Sequence, residues 1–522
     1  QYAYDELSKR SSNLIEFRIV EDAPAAMTTL SLICPYPALA EIGDPLALSA
    51  ALRSGGDPPS LDEIRSLAEV RVAAALESVR EQLERAPDEG AMDQDWYWAA
   101  PLLLDLDRAP VDTRSWWQSA NANAWIASDD EAGDEVHHEE ASLRLERHLA
   151  RARDFVSDPE RSAATLGRVP DDLVQVLTSI CLGSPAVCAL RSLQRVTSGE
   201  SECKAEVSDA SARIAWGFRS MFNGGIETAI VRPLTSSAAY WAAVLEYCQI
   251  GNVQAMLDEY LHVLTSWLGL VDTGGAKAAE ALGRSAYGAL STKSVNYAID
   301  ELAVRDGAVV IHRPATMRAK FAVSFGQQRS EDAGAMARIK NLSQAFNSPF
   351  WPFVLTSTSV GQEGLDFHLY SHAVVHWNVP NNPVDFEQRE GRVHRFKGHA
   401  VRKNVASGCA EAAFSTAGGD PWEHMFHEAV SIADDPDEVK PYWVFEHGES
   451  SACIERYVPH LPFTNDASKL DRLLKAVVAY RLAFGQPRQE ELVEYLADSL
   501  NSEELQRLAA RLRIDLAPAD LW

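Results

Sequence analysis

Four short runs in the second half of the chain leave little choice of architecture there. Ala308-Val309-Val310-Ile311-His312, Phe321-Ala322-Val323-Ser324-Phe325, Phe353-Val354-Leu355-Thr356-Ser357 and Ala373-Val374-Val375-His376-Trp377 are apolar or β-branched and contain no Asp, Glu, Lys or Arg. A helical pattern from Ala333 to Phe346 separates the second run from the third. Strands that are apolar on both faces and alternate with helices belong to a parallel sheet covered on both sides. Residues 296–440 are therefore expected to form an α/β domain.

The flanks read differently. Residues 1–126 mix loops with helical periodicity, clearest from Leu61 to Val79, where Ile64, Leu67, Val70, Val72, Ala75 and Val79 suggest one apolar face. Residues 127–142 hold an acidic stretch, with seven acids and no Lys or Arg from Ser128 to Glu140, as in a solvated linker or loop. Residues 143–295 are expected to be helical: Leu143 to Phe155 is periodic, Ser184-Pro185 offers an N-cap and a first-turn proline, and Ala238 to Leu245 is rich in Ala and aromatics. The last part, 441–522, reads as a helical C-terminal extension, with Leu470, Leu473, Leu474 and Val477 on one face and a second short helix from Gln489 to Leu500.

Charge restricts function. The 522 residues carry 48 Lys and Arg against 75 Asp and Glu, a net −27. Phosphate affinity comes from Lys and Arg, so any nucleic-acid contact is local. One such locality exists: Gln388 to Lys403 holds six Lys or Arg against one acid, and Lys397 and Lys403 are its lysines. A phosphate-facing patch is the functional reading; a solvated helix end is the bland one. The longest uncharged stretch, Leu173 to Leu190, contains Gln175, Thr178, Ser179 and a Gly-Ser-Pro break. A spanning helix needs about 20 mostly apolar residues, so no membrane segment is expected, and the charged residues 1–22 leave no secretory core. The expected compartment is the cytoplasm. Seven cysteines without a CxxC pair point to neither a disulfide framework nor a zinc ribbon. No metal site is expected, since His137, His138, Glu139 and Glu140 are adjacent residues on the acidic stretch. Trp116, Trp117, Tyr240 and Trp241 are core aromatics by default, although stacking platforms for single strands look alike in sequence.

Two segments carry the chemistry. Thr356-Ser-Thr-Ser-Val-Gly-Gln-Glu-Gly-Leu-Asp-Phe367 follows the third predicted strand, and Gln388-Arg-Glu-Gly-Arg-Val-His-Arg395 follows the fourth. Ligands of open α/β sheets sit beyond the carboxyl ends of the strands, so both segments would face one edge. A helix from Pro383 to Phe396 would set Gln388, Arg392 and Arg395 at i, i+4 and i+7, on one face.

These residues resemble motifs V and VI of superfamily 2 helicases and translocases. Motif VI, Q-x-x-G-R-x-x-R, is matched by Gln388, Gly391, Arg392 and Arg395, and the Gly-x-Asp that ends motif V by Gly364 and Asp366. Phe325-Gly326 with the helix to Phe346-Asn347 resembles the motif IV region, and Trp377-Asn378 through Asn382-Pro383 is similar to the segment before motif VI in the Swi/Snf-like branch. The resemblance implies a RecA-like fold for this domain and an ATP-dependent helicase or duplex translocase, with nucleic acid as partner, DNA in preference to RNA. It further implies that Arg392 and Arg395 are arginine fingers and that Gln388 orients phosphate or water. Gly364, Asp366 and Gly391 would lie at the nucleotide, with Asp366 on its sugar, while Thr358 and Ser359 would touch the nucleic-acid backbone. A planar guanidinium suits such a role because it offers fixed donors to charge that spreads over the transferring phosphoryl group.

The family binds ATP between two RecA-like domains, the first of which carries a Gly-Lys phosphate loop. The sequence has no Gly-Lys dipeptide, and its Asp134-Glu135-Val136-His137 lacks a preceding apolar strand. Since the chain begins at Gln1, the expectation is that an N-terminal RecA-like half lies upstream and holds most of the Mg2+ site, so that the isolated chain is inactive. The alternative is a nucleic-acid-binding or scaffolding module with a degenerate helicase fold and no hydrolysis of its own.

Overall fold

The computed structural model describes residues 15–25, 27–53, 58–87, 89–120, 122–126, 135–197, 204–291, 295–305, 308–319, 341–356, 366–414, 419–433, 439–448, 451–460 and 464–482, with scattered positions at 462 and beyond 494. The chain divides into two compact units: Gln1–Phe353 with Ala413–Glu423, and Val354–Ala412 with His424–Trp522.

The first unit is built mainly of helices, after a small antiparallel pair of β1 (Arg18–Val20) and β2 (Ala23–Ala25). Helices form where periodicity and a first-turn proline predict them, at Leu61–Leu76, Pro185–Val196 and Tyr240–Ile250, but the helix expected from Leu143 already begins at Glu135, so the end of the acidic stretch read as a linker or loop is helical instead. The first of these starts at a capping box in which the Ser60 side chain accepts from the Glu63 amide and Glu63 accepts from Ser60. Its buried residues are Ala68, Val72 and Leu76, whereas Val70 is exposed. The Lys204–Phe222 and Gly275–Leu290 helices pack closely because two glycines remove side chains at the contact. A Cβ on Gly217 would stand 2.9 Å from that of Leu290, and one on Gly283 would stand 2.9 Å from that of Ala210. Trp116 and Trp125 stack and both donate to Asp209, at 3.1 and 3.3 Å, and Trp117 is buried beside them. The Leu173–Gly183 and Pro185–Val196 helices are apolar enough together to suggest a bent span, but both lie largely in this core; among the described residues no single helix is long and apolar enough to cross a membrane.

One piece of this unit comes from late in the chain. Within Ala413–Glu423, Asp420 is buried with its Oδ2 2.6 Å from His262 Nδ1, and its Oδ1 accepts the Trp422 amide at 2.9 Å. The Trp422 ring stacks on His262.

The second unit contains β5 (Ala373–Val375) and β6 (Glu455–Tyr457), which run parallel; the other runs expected in the same sheet do not join them among the described residues. The run at 308–312 lies in a long antiparallel hairpin, in which β3 (Val295–Arg305) pairs with β4 (Ala308–Ala319) and a bulge sits at Glu301/Leu302. A signal for it lies in the sequence itself, where Asp306-Gly307 is a favoured two-residue hairpin sequence. In the third run, residues 353–356 form no strand, and Phe353 and Val354 are 64% and 79% exposed. Phe321 to Phe325 lies outside the described residues. Among the described residues the parallel sheet is thus a single pair, β5 with β6, in the register Ala373↔Glu455, Val374↔Arg456 and Val375↔Tyr457. The Asp466–Leu482 helix covers this unit through Leu473 and Val477, which pack with Val379 and Phe386.

Asp105 gives the first unit a pH dependence. Its Oδ1 accepts the Ala38 amide at 2.7 Å, at the start of the Pro37–Ile42 helix. Burial, opposed by that hydrogen bond and by Arg108, raises the carboxyl from 3.8 to about 8. The native state then keeps a proton that the unfolded chain releases, so stability falls as pH rises from about 4 to 8. Asp105→Asn keeps the acceptor without the titration. In urea unfolding its advantage over the wild type is expected to widen across that range, reaching roughly 2–5 kcal/mol at pH 8.

Candidate active site

The Pro383–Gly391 helix begins at Asn382, whose Oδ1 accepts the Val384 amide at 2.9 Å, and it is anchored by the fully buried Phe386. It ends five residues earlier than the sequence pattern suggests. Arg392 and Val393 donate to Arg389 and Glu390 at 3.3 and 3.1 Å, the tightened bonds of a last turn, and Val393 is buried in the turn beyond. Glycine is a poor helix former by about 1 kcal/mol, and the chain leaves the helix at Gly391. The expected alignment of Gln388, Arg392 and Arg395 on one helical face is therefore corrected: Gln388 is exposed on the helix, Arg392 is its C-cap and Arg395 lies in the following turn.

The turn nonetheless brings both arginines to one carboxylate. Arg395 Nε donates to Asp366 Oδ1 at 3.3 Å, and Arg392 Nη1 lies 3.7 Å from the same oxygen. Backbone bonds set this approach: the Phe367 amide donates to the Arg392 carbonyl at 2.9 Å, and the His399 amide to the His368 carbonyl at 3.0 Å. A Cβ on Gly391 would stand 3.9 Å from Arg395 Nη1, an ordinary van der Waals distance, so the guanidinium itself does not require a glycine there. Thr358, Ser359 and Gly364 lie outside the described residues.

The two lysines differ. Lys403 is exposed. Lys397 takes a left-handed φ of 49°, donates its amide to the Tyr442 carbonyl at 2.7 Å, and holds its ammonium 4.7 Å from the centre of the Phe426 ring, with Phe396 and Tyr442 at 5.7 and 5.9 Å. Its head group rests on rings, a cation–π arrangement that the run of basic residues does not reveal.

Sequence reasoning also missed the group that ties this helix to the strand pair. Glu390 accepts from Arg456 Nε and Nη2 at 2.5 and 2.7 Å, and His376 Nε2 lies 3.2 Å from it. His376 stacks on Phe386 at 4.2 Å, and the Arg456 guanidinium lies 4.7 Å over the same ring. Burial opposes ionisation of Glu390, but the hydrogen bonds from Arg456 and His376 outweigh it and hold the carboxyl at about 2. Burial pushes His368 down to about 4 and, with the charge of Arg402, His399 to about 3; His372 is lowered as well. His372 and His399 face each other with Nδ1 atoms 3.0 Å apart, which suits two neutral rings, one donating to the other. Among the described residues no three His, Cys, Asp or Glu side chains are grouped so as to hold a metal ion.

Residues 335–397 match the family model of the helicase conserved C-terminal domain. This segment is a helicase-family C-terminal domain. The helicase segment includes Asp366, Gly391, Arg392 and Arg395 and ends at Lys397. Its family implies a RecA-like fold; of the one parallel pair among the described residues, β5 lies inside the matched segment and β6 beyond it. No curated protein and no solved structure is matched by the chain.

The depressed groups give a signed prediction. For the three histidines the unfolded chain binds protons below about 6.5 that the native state refuses, and for Glu390 the same holds between 4.5 and about 2. Both make stability fall as pH falls. The thermal midpoint of the second unit should drop steadily from pH 7 to 5, and His399→Gln should flatten that slope. Glu390→Gln should cost about 1–3 kcal/mol at pH 7 by stripping the Arg456 bonds of their charge.

Proposed function

We propose that this chain supplies the C-terminal half of an ATP-dependent superfamily 2 helicase or duplex DNA translocase, nearest the Swi/Snf-like branch. The observation that carries the reading is the convergence of Arg392 and Arg395 on Asp366 within the matched segment. Carboxylate and phosphate oxygens accept from a guanidinium in the same way, so Asp366 is a resting partner that a phosphate can replace. Once there, the two arginines stabilise charge that develops as the γ-phosphoryl group transfers, an effect worth about 10³–10⁵ in rate. Asp366, relieved of them, turns to the nucleotide sugar beside Gly364, and the exposed Gln388 orients water or phosphate. The phosphate cradle comes from an N-terminal RecA-like domain, in keeping with the absence of any Gly-Lys dipeptide in this sequence. DNA contacts fall to Lys403 and to Thr358 and Ser359, with Lys397 shaping the turn.

Two measurements test this. The 522-residue chain alone should show no useful ATP turnover with or without duplex DNA, and robust turnover would reveal a nucleotide site elsewhere. In the enzyme joined to its phosphate-binding half, Arg395→Ala should lower kcat by about 10³ while ATP binding stays nearly intact, because the contact forms in the transition state. Lys403→Ala should instead weaken DNA binding and reduce its salt dependence by about one counterion. Wild-type turnover in Arg395→Ala would overturn the finger assignment and leave the arginines as part of a surface segment.

A further inference from the structure

Arg402 lies beyond the matched segment, on the His399–Cys409 helix, and is 0% exposed. Its Nη1 donates to the Lys397 carbonyl at 2.7 Å, and its Nη2 donates to the Leu369 carbonyl. The guanidinium lies 5.1 Å over the Tyr370 ring. Lys397 closely follows Arg395, and Leu369 closely follows Asp366, so one planar group joins the two stretches that present the finger and its carboxylate. We propose that Arg402 is a positioning residue: it fixes the separation of Asp366 and Arg395 by bonding the backbone behind each of them. The catalytic part of this inference rests on the functional reading above; the structural part does not.

Chemistry explains the choice of arginine. The fork carries donors on separate nitrogens at a fixed angle, so it reaches two carbonyls at once, whereas a lysine ammonium is one point on a flexible stem. Burying a guanidinium costs desolvation that an apolar side chain of similar volume avoids. An apolar side chain, however, cannot bond both segments. The lacing at Phe367 and His399 runs between the same two stretches, so the guanidinium closes the far end of a ladder of which those amides are the rungs.

Hydrogen exchange on the full chain tests the structural part. Arg402→Met should speed exchange of the Phe367 and His399 amides by roughly tenfold or more, while the His376 and Glu455 amides, which bond across β5 and β6, keep wild-type rates. Arg402→Lys, which keeps the charge, should retain the fold and still loosen at least one of the first two. Unchanged rates at Phe367 and His399, or equal acceleration at all four amides in both variants, would overturn the proposal. In the enzyme joined to its phosphate-binding half, Arg402→Met should lower kcat with KM for ATP little changed. The double variant with Arg395→Ala should be no slower than Arg395→Ala alone, because one residue acts through the other. Additive losses would overturn the positioning role. If the exchange pattern appears but Arg395→Ala itself keeps full turnover, the clamp stands and the helicase reading falls.

Discussion

Two backbone hydrogen bonds hold the second unit's chemistry in place, one from the Phe367 amide to the Arg392 carbonyl and one from the His399 amide to the His368 carbonyl. Everything notable about the site follows from the fact that main chain, rather than helix geometry, fixes it. The helix that carries Gln388 can stop at Gly391 without scattering the arginines, because the turn beyond it is bonded to the Asp366 stretch. Side chains then act on a frame already set. Arg395 and Arg392 need only reach one carboxylate, and Lys397 is free to spend its charge on aromatic rings while its backbone makes the corner. Backbone donors have fixed direction and no rotamer freedom, which suits them to hold the segments that carry these side chains.

The remaining charges in this unit are arranged in two different ways. Glu390 is a paired charge: its two oxygens are satisfied by Arg456 and His376, and through them a helix is fastened to both strands of the parallel pair. His368, His372 and His399 are kept neutral by burial and by nearby cations. The first arrangement stores stability in an ion pair and the second in the refusal of a proton. Acid attacks both, so the surroundings of the arginines lose stability as pH falls.

How far this was legible in the sequence depends on the range of the signal. Local signals were sound: Ser60 with Glu63, Pro185 after Ser184, and the apolar face around Leu473 and Val477 all give helices where expected. The ordered motif residues Asp366, Arg392 and Arg395 come together, though by a turn and not along a helix. What failed was pairing at a distance. The β6 triplet Glu455-Arg456-Tyr457 has no β-branched residue to mark it, and both its strand partner Ala373–Val375 and the Glu390 carboxylate that holds Arg456 are far away in sequence. Tertiary context overrides propensity in such short strands. In the other direction, the apolar run at 353–357 resembled a buried strand, yet its first two residues face solvent. The hairpin of β3 and β4 was missed for a plainer reason, since the Asp-Gly dipeptide was there to be read.

The segment that carries Asp420 and Trp422 bears on how the molecule comes into being. The chain leaves the first unit after Phe353, returns to it at Ala413 and leaves again after Glu423. A ribosome delivers residues in order, so the helical unit waits for its last piece while much of the second unit has already emerged. Until residues 420–422 are made, His262 lacks both the Asp420 carboxylate at its Nδ1 and the Trp422 ring that stacks on it. The two units are thus not successive beads that mature one after the other. Completion of the earlier one is a late event of synthesis, timed by a segment that is made only after residues 354–412 of the later one.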